Sequence, residues 1–364
     1  MRIDPTAIVR AGHTETAADV VIEADVRIAC DSLVLGAGTI IRRGTRIVAP
    51  EISCGARTTI GADAQIELNA RFRVGILADF GRGVRVTGHS LHAGDHLWIT
   101  AGVVIGGGGS RGPRACLTIG DRSALMDGCF VNVCEPVSIG SDTALSNNVT
   151  VLTHSTWHPA LTGGAPLFAP VVIGDDVIVY VNAIIGPGVQ VGSHCTIGAG
   201  AVVLRDVPER STAFGNPARL AAIAPSLGEP ADAARQDEIV RAALREYCDS
   251  VPLKGGRIAA HGAEAFEVEL DGVSETILYL PAAAGDSEAA SPATITLSMR
   301  DVPPDRRGRC HFDLSRRALV GEASPVAEDL RDFLRRRTIR VYTDRPFRSL
   351  PTASIARLQR ELES

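Results

Sequence analysis

Aliphatic residues recur at every sixth position over residues 173–203, and this period constrains the fold more than any other feature of the chain. It fits neither the 3.6-residue period of an α-helix nor the simple alternation of a β-strand. Glycine follows most of these positions, and a small or β-branched residue stands three places after the glycine position. The aliphatic positions are Ile173, Val179, Ile185, Val191, Ile197 and Val203.

The same period runs earlier in the chain, in blocks that frame shifts separate. The blocks are Ile22, Ile28, Val34, Ile40 and Ile52, then Ile60, Ile66, Phe72 and Val84, then Ile119, Leu125, Val131 and Val137. A coil of short flat strands explains this spacing, because one side chain in six then points inward and stacked coils bury it together. The sequence therefore predicts an all-β solenoid.

Two stretches interrupt the repeat, residues 106–116 and 154–170, and interruptions of a solenoid project from it as loops. The repeat stops after Arg219. We assign residues 1–224 to the solenoid domain, 225–235 to a linker rich in Pro, Ala, Gly and acidic residues, and 236–364 to a smaller α/β or α+β domain of unknown role. Hydrophobic periodicity in this last domain predicts helices over 237–248, 325–336 and 354–363, and strands over 266–270, 276–280, 294–299 and 338–342.

Composition excludes several classes of function. Lys254 is the single lysine and lies in neither a Gly-Lys-Ser/Thr loop nor a Schiff-base setting, which disfavours a P-loop NTPase and a pyridoxal-phosphate enzyme. A net charge of −5 disfavours broad nucleic-acid binding. The eight cysteines form no Cys-x-x-Cys pair, and no apolar run reaches the roughly 18 residues of a membrane span. We expect a cytoplasmic protein without membrane insertion.

Two sets of motifs resemble one known family. They are Ile173-Gly-Asp-Asp-Val, Ile185-Gly-Pro-Gly-Val-Gln-Val-Gly and Ile197-Gly-Ala-Gly-Ala-Val-Val within the repeat, and Val202-Val-Leu-Arg-Asp-Val-Pro followed by Phe214-Gly-Asn-Pro-Ala-Arg at its end. The chain resembles the hexapeptide-repeat acyltransferases, most closely in motif the sugar, maltose and galactoside O-acetyltransferases. The resemblance implies a left-handed parallel β-helix, acetyl-CoA or another acyl-CoA as co-substrate, and a homotrimer with each active site between neighbouring subunits. It also implies transfer of an acetyl group to a hydroxyl or amine of a sugar or nucleotide sugar.

The resemblance also assigns roles to individual residues. His154 directly follows a repeat block and precedes a loop, which is the position of the family's general base, and an imidazole titrates near the working pH. The acceptor set is His158, Asp127, Asn148 and Trp157, although Asp127 also fits a solvated turn. The set implied for coenzyme A is Val181, Ala199, Gly200, Arg205 and Arg219, with the arginines approaching phosphates.

The sequence departs from the family at Ile178-Val179-Tyr180 and at Met126-Asp127-Gly128, where relatives often carry asparagines, and two other functions stay open. Relatives carry Trp-Ile-Gly where this chain has Ile178-Val179-Tyr180, which favours a non-catalytic scaffold or a differently held donor. A zinc-dependent hydratase is the other alternative. His89, His92 and His96 lie near Asp95, but solvent-facing positions explain them, and we expect no metal. The glycine-rich stretch at 106–113 carries Arg111, which fits either an acceptor phosphate or an excursion of the chain.

Overall fold

The computed structural model describes residues 1–155, 159–221, 231–262, 264–282, 294–304 and 307–363. The chain divides into two compact units, Met1–Glu229 and Pro230–Ser364. Within the described ranges, no helix combines the length and the apolar character that crossing a bilayer requires.

The N-terminal unit consists of β-strands, most of them only two to four residues long. In chain order they are β1 (Arg2–Ile3), β2 (Ile8–Thr16), β3 (Val21–Ile22), β4 (Arg27–Leu35), β5 (Ile40–Ile41), β6 (Arg46–Val48), β7 (Glu51–Cys54), β8 (Thr59–Ile60), β9 (Gln65–Val74), β10 (Asp79–Phe80), β11 (Arg85–Ala93), β12 (Trp98–Ile99), β13 (Val104–Ile105), β14 (Cys116–Ile119), β15 (Ala124–Leu125), β16 (Phe130–Val131), β17 (Val137–Ile139), β18 (Ala144–Leu145), β19 (Thr150–Val151), β20 (His154–Ser155), β21 (Leu167–Phe168), β22 (Val171–Ile173), β23 (Ile178–Val179), β24 (Ile184–Ile185), β25 (Gln190–Val191), β26 (Thr196–Ile197), β27 (Val202–Val203), β28 (Thr212–Phe214) and β29 (Arg219–Leu220).

These strands stack coil upon coil, which confirms the predicted β-solenoid. One sheet contains twelve strands in the order β1-β3-β5-β8-β10-β12-β15-β18-β23-β26-β28-β29, and only its last pair is antiparallel. A second sheet of fifteen strands covers the remaining sides, because long strands such as β9 and β11 bend around the coil and pair on both sides of the bend. The pairing between successive coils satisfies the backbone groups of each thin coil.

The predicted inward positions are buried throughout residues 173–207, with the side chains of Ile173 and Val203 each 1% exposed. The prediction was wrong at Val34 and Ile40, which are only partly buried, while the adjacent Leu33 and Ile41 are buried. Ile22, Ile41 and Ile60 are register partners and lie nineteen residues apart. An exact period of six therefore slips by one residue in each of these first coils.

Glycine after the aliphatic position allows side chains to cap the preceding coil. Asp121 Oδ1 accepts a hydrogen bond from the backbone N–H of Asp95 at 2.8 Å, and Asp95 Oδ1 accepts one from Ile76 at 2.8 Å. A Cβ at Gly94 would lie 2.0 Å from that Asp121 oxygen. Only glycine leaves room for the carboxylate, so the Gly-Asp pairs of the repeat serve the stacking of coils.

The C-terminal unit is built from a six-stranded sheet and helices. Its elements are α1 (Ala233–Ser250), β30 (Arg257–Ala260), β31 (Ala265–Leu270), β32 (Val273–Leu280), β33 (Ile295–Ser298), β34 (Cys310–Asp313), β35 (Ala318–Gly321), α2 (Pro325–Arg336) and α3 (Ala353–Glu363). The sheet order follows the chain from β30 to β35, and only the pairs β32–β33 and β33–β34 are parallel. The helices α1 and α2 contribute Leu244 and Leu330 to the buried core against this sheet.

Several elements of this unit differ from the sequence pattern, and the strands β30, β34 and β35 form where none was predicted. Helix α1 begins inside the predicted linker, because the Asp232 side chain accepts a hydrogen bond from the backbone N–H of Arg235 and caps the helix there. The strand predicted over 338–342 does not form, and Tyr342 makes only an isolated bridge to Ala318.

Candidate active site

His154 lies at the corner where the chain leaves the solenoid after β19. The interruption that follows folds back on itself, because β20 pairs antiparallel with β21 and places His154 opposite Phe168. A 3₁₀ turn at Ala160–Thr162 lies between these strands. The predicted acceptor residues Trp157 and His158 fall outside the described residues.

The side chain of Asn132, from the neighbouring coil, holds the imidazole of His154. His154 Nδ1 lies 2.9 Å from Asn132 Oδ1, and the Thr153 hydroxyl donates to the same oxygen at 2.6 Å. The backbone N–H of Cys134 also donates to Oδ1 at 3.3 Å, and Asn132 Nδ2 donates to the carbonyl of Gly106 at 3.3 Å. Asn132 is 1% exposed, so its amide is buried, and both its oxygen and its nitrogen have a hydrogen-bond partner.

This network fixes the tautomer of His154. A backbone N–H is always a donor and a carbonyl always an acceptor, so the Cys134 and Gly106 contacts assign Oδ1 and Nδ2 of Asn132 without ambiguity. Oδ1 accepts only, and Nδ1 of His154 must therefore carry the proton when the ring is neutral. The lone pair is left on Nε2, which is the form of histidine that takes a proton from a substrate.

The ring of Phe168 also contacts the imidazole, and the 106–115 loop lies close to both His154 and Asn132. The ring of Phe168 stacks on the imidazole, with the centroids 5.7 Å apart and the planes inclined by 15°. On the 106–115 loop, a Cβ at Gly108 would lie 3.4 Å from His154 Cε1, 2.8 Å from Asn132 Nδ2 and 1.9 Å from the sulfur of Cys134. The loop thus lies close against the same corner as His154.

Two ion pairs fasten the second half of this loop. Arg111 pairs with Glu67, and the Asn69 side chain donates to the Arg111 carbonyl at 2.9 Å. Arg114 donates to Glu135 at 2.6 Å. Both arginines are therefore already paired with carboxylates, and the loop is attached to β9 rather than being a free excursion of the chain.

The other predicted residues gather at a different corner, the one that precedes β16, β19, β24 and β27. Here the backbone N–H of Asn148 donates to the carbonyl of Asp127 at 2.9 Å, and that of Gly200 donates to Val181 at 2.9 Å. Ala199 lies beside Gly200, and all five residues are exposed. The structure thus aligns the predicted acceptor and coenzyme residues along one edge, but at the opposite end of β19 from His154.

The two predicted phosphate-binding arginines lie at the closing end of the solenoid. Arg205 follows β27, and Arg219 lies in β29, paired with Phe214. Both side chains are exposed. At the departure from the family motif, Ile178 and Tyr180 are 43% and 45% exposed while Val179 is buried. Tyr180 therefore presents a large polar ring beside Val181.

Among the residues that the structure describes, no three His, Cys, Asp or Glu side chains are grouped in a way that could hold a metal ion. His89 and His96 are partly buried and His92 is exposed.

Comparison with known proteins identifies relatives of the repeat segment. Residues 170–205 match the family model described as bacterial transferase hexapeptide (six repeats). Galactoside O-acetyltransferase of Escherichia coli (strain K12) is 35% identical over 86 residues, which are 23% of this chain and 42% of the relative. A 2,3,4,5-tetrahydropyridine-2,6-dicarboxylate N-acetyltransferase of Staphylococcus aureus (strain JH9) is 44% identical over 55 residues, which are 15% of this chain and 23% of the relative.

One similar solved structure is a hexapeptide-repeat acetyltransferase from Vibrio cholerae in complex with acetyl coenzyme A. It is 22% identical in sequence with a TM-score of 0.25, and the match covers 38% of this chain and 70% of the Vibrio cholerae chain. This chain spans less than half the length of the curated relatives it matches. The predicted resemblance to hexapeptide-repeat transferases is confirmed over the matched repeats.

Proposed function

We propose that this chain is a coenzyme A-dependent acyltransferase that moves an acetyl group from acetyl-CoA to a hydroxyl or amine of a sugar-type acceptor. The observation that carries the proposal is the contact between His154 Nδ1 and the buried Asn132 carbonyl, which leaves Nε2 as a proton acceptor. The relatives of the repeat segment include one O-acetyltransferase and one N-acetyltransferase, so both acceptor atoms belong to the proposal.

The reaction follows from the position of the lone pair on Nε2. His154 removes the proton from the acceptor hydroxyl or amine as that group attacks the thioester carbonyl. The carbon–sulfur bond breaks when the tetrahedral intermediate collapses, and the imidazolium returns its proton to the departing thiolate. Backbone N–H groups near the cleft stabilise the oxyanion, and no covalent intermediate on the protein is needed.

For the donor, we propose a groove along the corner that carries Val181, Ala199 and Gly200, with Arg205 and Arg219 at the nucleotide end. These residues are exposed and occupy successive coils, which suits an extended ligand lying along the solenoid. Arginine binds phosphate through its planar fork of donors. Tyr180 in place of the family's glycine adds bulk beside Val181 and favours a donor that is held differently from that of the relatives.

We further propose a homotrimer in which each site is shared between two copies. His154 and the Asp127–Asn148 edge lie at opposite ends of β19, so one chain does not bring its base to its own acceptor residues. In a trimer of left-handed coils, as the resemblance implies, a neighbouring copy supplies that edge. Light scattering at micromolar concentration tests this step, and a monodisperse monomer that is active would contradict it.

The function is tested by calorimetric titration of the full chain with acetyl-CoA, followed by turnover on sugar acceptors. Arg219→Ala is expected to weaken acetyl-CoA binding at least fivefold, while Arg10→Ala, on an exposed strand of the first coil, leaves it unchanged. His154→Gln is expected to keep donor binding and to lose turnover. A chain that binds no acetyl-CoA would favour the scaffold function instead. Turnover that survives His154→Gln would show that His154 is not the general base.

A further inference from the structure

The hydrogen-bond partner of His154 Nδ1 is a neutral amide rather than a carboxylate. When His154 takes up a proton, the ring becomes a cation, and a carboxylate at Nδ1 would stabilise that charge directly. The Asn132 carbonyl contributes only a dipole. The charge that forms on the imidazole during the reaction therefore needs a second source of stabilisation close to the ring.

Phe168 lies close enough to the His154 ring to stabilise this charge. Its ring is nearly parallel to the imidazole, with centroids 5.7 Å apart, and the β20–β21 pairing fixes both residues opposite each other on the backbone. The face of an aromatic ring carries partial negative charge and attracts a cation within about 6 Å of its centroid. The same contact stabilises a neutral imidazole much less, because the attraction depends on the positive charge of the imidazolium.

We infer that Phe168 is a positioning residue that stabilises the imidazolium form of His154 through its aromatic face. The inference rests on the proposed function only for its kinetic consequence. In that reaction the proton of the acceptor hydroxyl or amine moves to Nε2 while the new acyl bond forms, and it leaves Nε2 for the sulfur of coenzyme A when the carbon–sulfur bond breaks. Phe168 lowers the energy of the protonated ring between those two transfers.

Among the described residues, the other titratable groups with contacts at this corner lie on the neighbouring coil and on the 106–115 loop. The Cys134 thiol points to the carbonyl of Gly108 at 3.5 Å, and Glu135 is paired with Arg114. The ring of Phe168 and the side chain of a leucine in its place are both uncharged and apolar. Replacing that ring therefore changes the environment of His154 without altering the charge of a neighbour.

The experiment is a proton NMR titration of the His154 Cε1–H in the full chain, with the signal assigned by its loss in His154→Gln. Phe168→Leu removes the aromatic face and keeps an apolar side chain, and it is expected to lower the titration midpoint by about half a pH unit. Phe168→Tyr keeps the face and is expected to retain the midpoint. Leu167→Ala is the matched control, because Leu167 lies next to Phe168 in β21, opposite Ser155, and is similarly exposed.

The kinetic arm follows kcat/KM against pH for the same variants. Phe168→Leu is expected to move the acid limb of kcat/KM to lower pH by about half a pH unit. It is also expected to lower kcat about threefold with little change in KM. An unchanged midpoint in Phe168→Leu, or equal shifts in the Leu and Tyr variants, would overturn the inference. A shifted midpoint in a chain without turnover would support the ring contact and contradict the proposed function, so the two failures are distinguishable.

Discussion

Replacing Asn132 by leucine tests the assignment of the base most directly. Leucine has a similar size, so the buried site is neither emptied nor overfilled, but it offers no hydrogen bond. The change removes the acceptor of His154 Nδ1 and of the Thr153 hydroxyl, and it removes the donor to the Gly106 carbonyl. The ring of His154 then loses the contact that keeps its lone pair on Nε2.

The size of the effect follows from these contacts. Each buried partner left without a hydrogen bond costs about 1–3 kcal/mol, and partial rearrangement of the 106–115 loop relieves some of this cost. We expect the free energy of unfolding to fall by about 2–4 kcal/mol. General-base catalysis contributes about 10²–10⁴-fold, and losing the orientation of the base is expected to lower kcat/KM by about 10²-fold.

Asn132→Asp is the matched control. A carboxylate still accepts from His154 Nδ1 and from Thr153, although it cannot donate to the Gly106 carbonyl, so kcat/KM is expected to stay within about tenfold of the native value. The negative charge favours the protonated imidazole, and the acid limb of kcat/KM therefore moves to higher pH.

Steady-state kinetics with acetyl-CoA and a sugar acceptor measure both variants, while calorimetric titration with acetyl-CoA and a urea unfolding curve verify that each one folds. The reasoning is refuted if Asn132→Leu folds, binds acetyl-CoA and keeps kcat/KM within threefold of the native chain. Equal losses in the leucine and aspartate variants would show that packing, rather than the acceptor at Nδ1, sets the activity.

Three further predictions concern other parts of the molecule. Gly108→Ala is expected to displace the 106–115 loop from His154 and to lower kcat/KM about tenfold in the steady-state assay. Gly112→Ala is the control and is expected to leave kcat/KM unchanged, because its Cβ would meet nothing within 4 Å. Burial raises the pKa of the Cys54 thiol to about 12, so the stability that the neutral thiol contributes is present below about pH 9 and is lost as the pH rises toward 12. Thermal melting under reducing conditions is expected to show a smaller fall in melting temperature between pH 8 and pH 10.5 for Cys54→Val than for the native chain. Lys254 pairs with Asp329 at 2.6 Å with side chains 8% and 0% exposed, so Lys254→Met is expected to cost about 3–5 kcal/mol in urea unfolding. Adding Asp329→Leu is expected to recover only part of this loss, because the backbone N–H of Leu350 then loses its acceptor.

The solenoid was predictable because its period is local. A residue and its counterpart one strand later lie within a short stretch of chain, so the aliphatic column over residues 173–203 is visible without knowledge of which strands pair. The errors at Val34 and Ile40 arise where the coil is nineteen residues long, because the length of a coil is set by how its corners close rather than by the repeat.

The corner around His154 was only partly predictable, because the repeat is broken there. Asn132 and Phe168 reach His154 from different segments, one on the preceding coil and one at the far end of the interruption. Their meeting depends on the pairing of β16 with β19 and on the antiparallel return of β21, and neither leaves a period in the sequence. A side chain in the repeat has to fit the column of the coil, whereas a side chain in an interruption is free of that requirement. His154 and Phe168 both lie in the interruption, and they meet Asn132, a buried residue of a regular coil, at the corner where the repeat breaks.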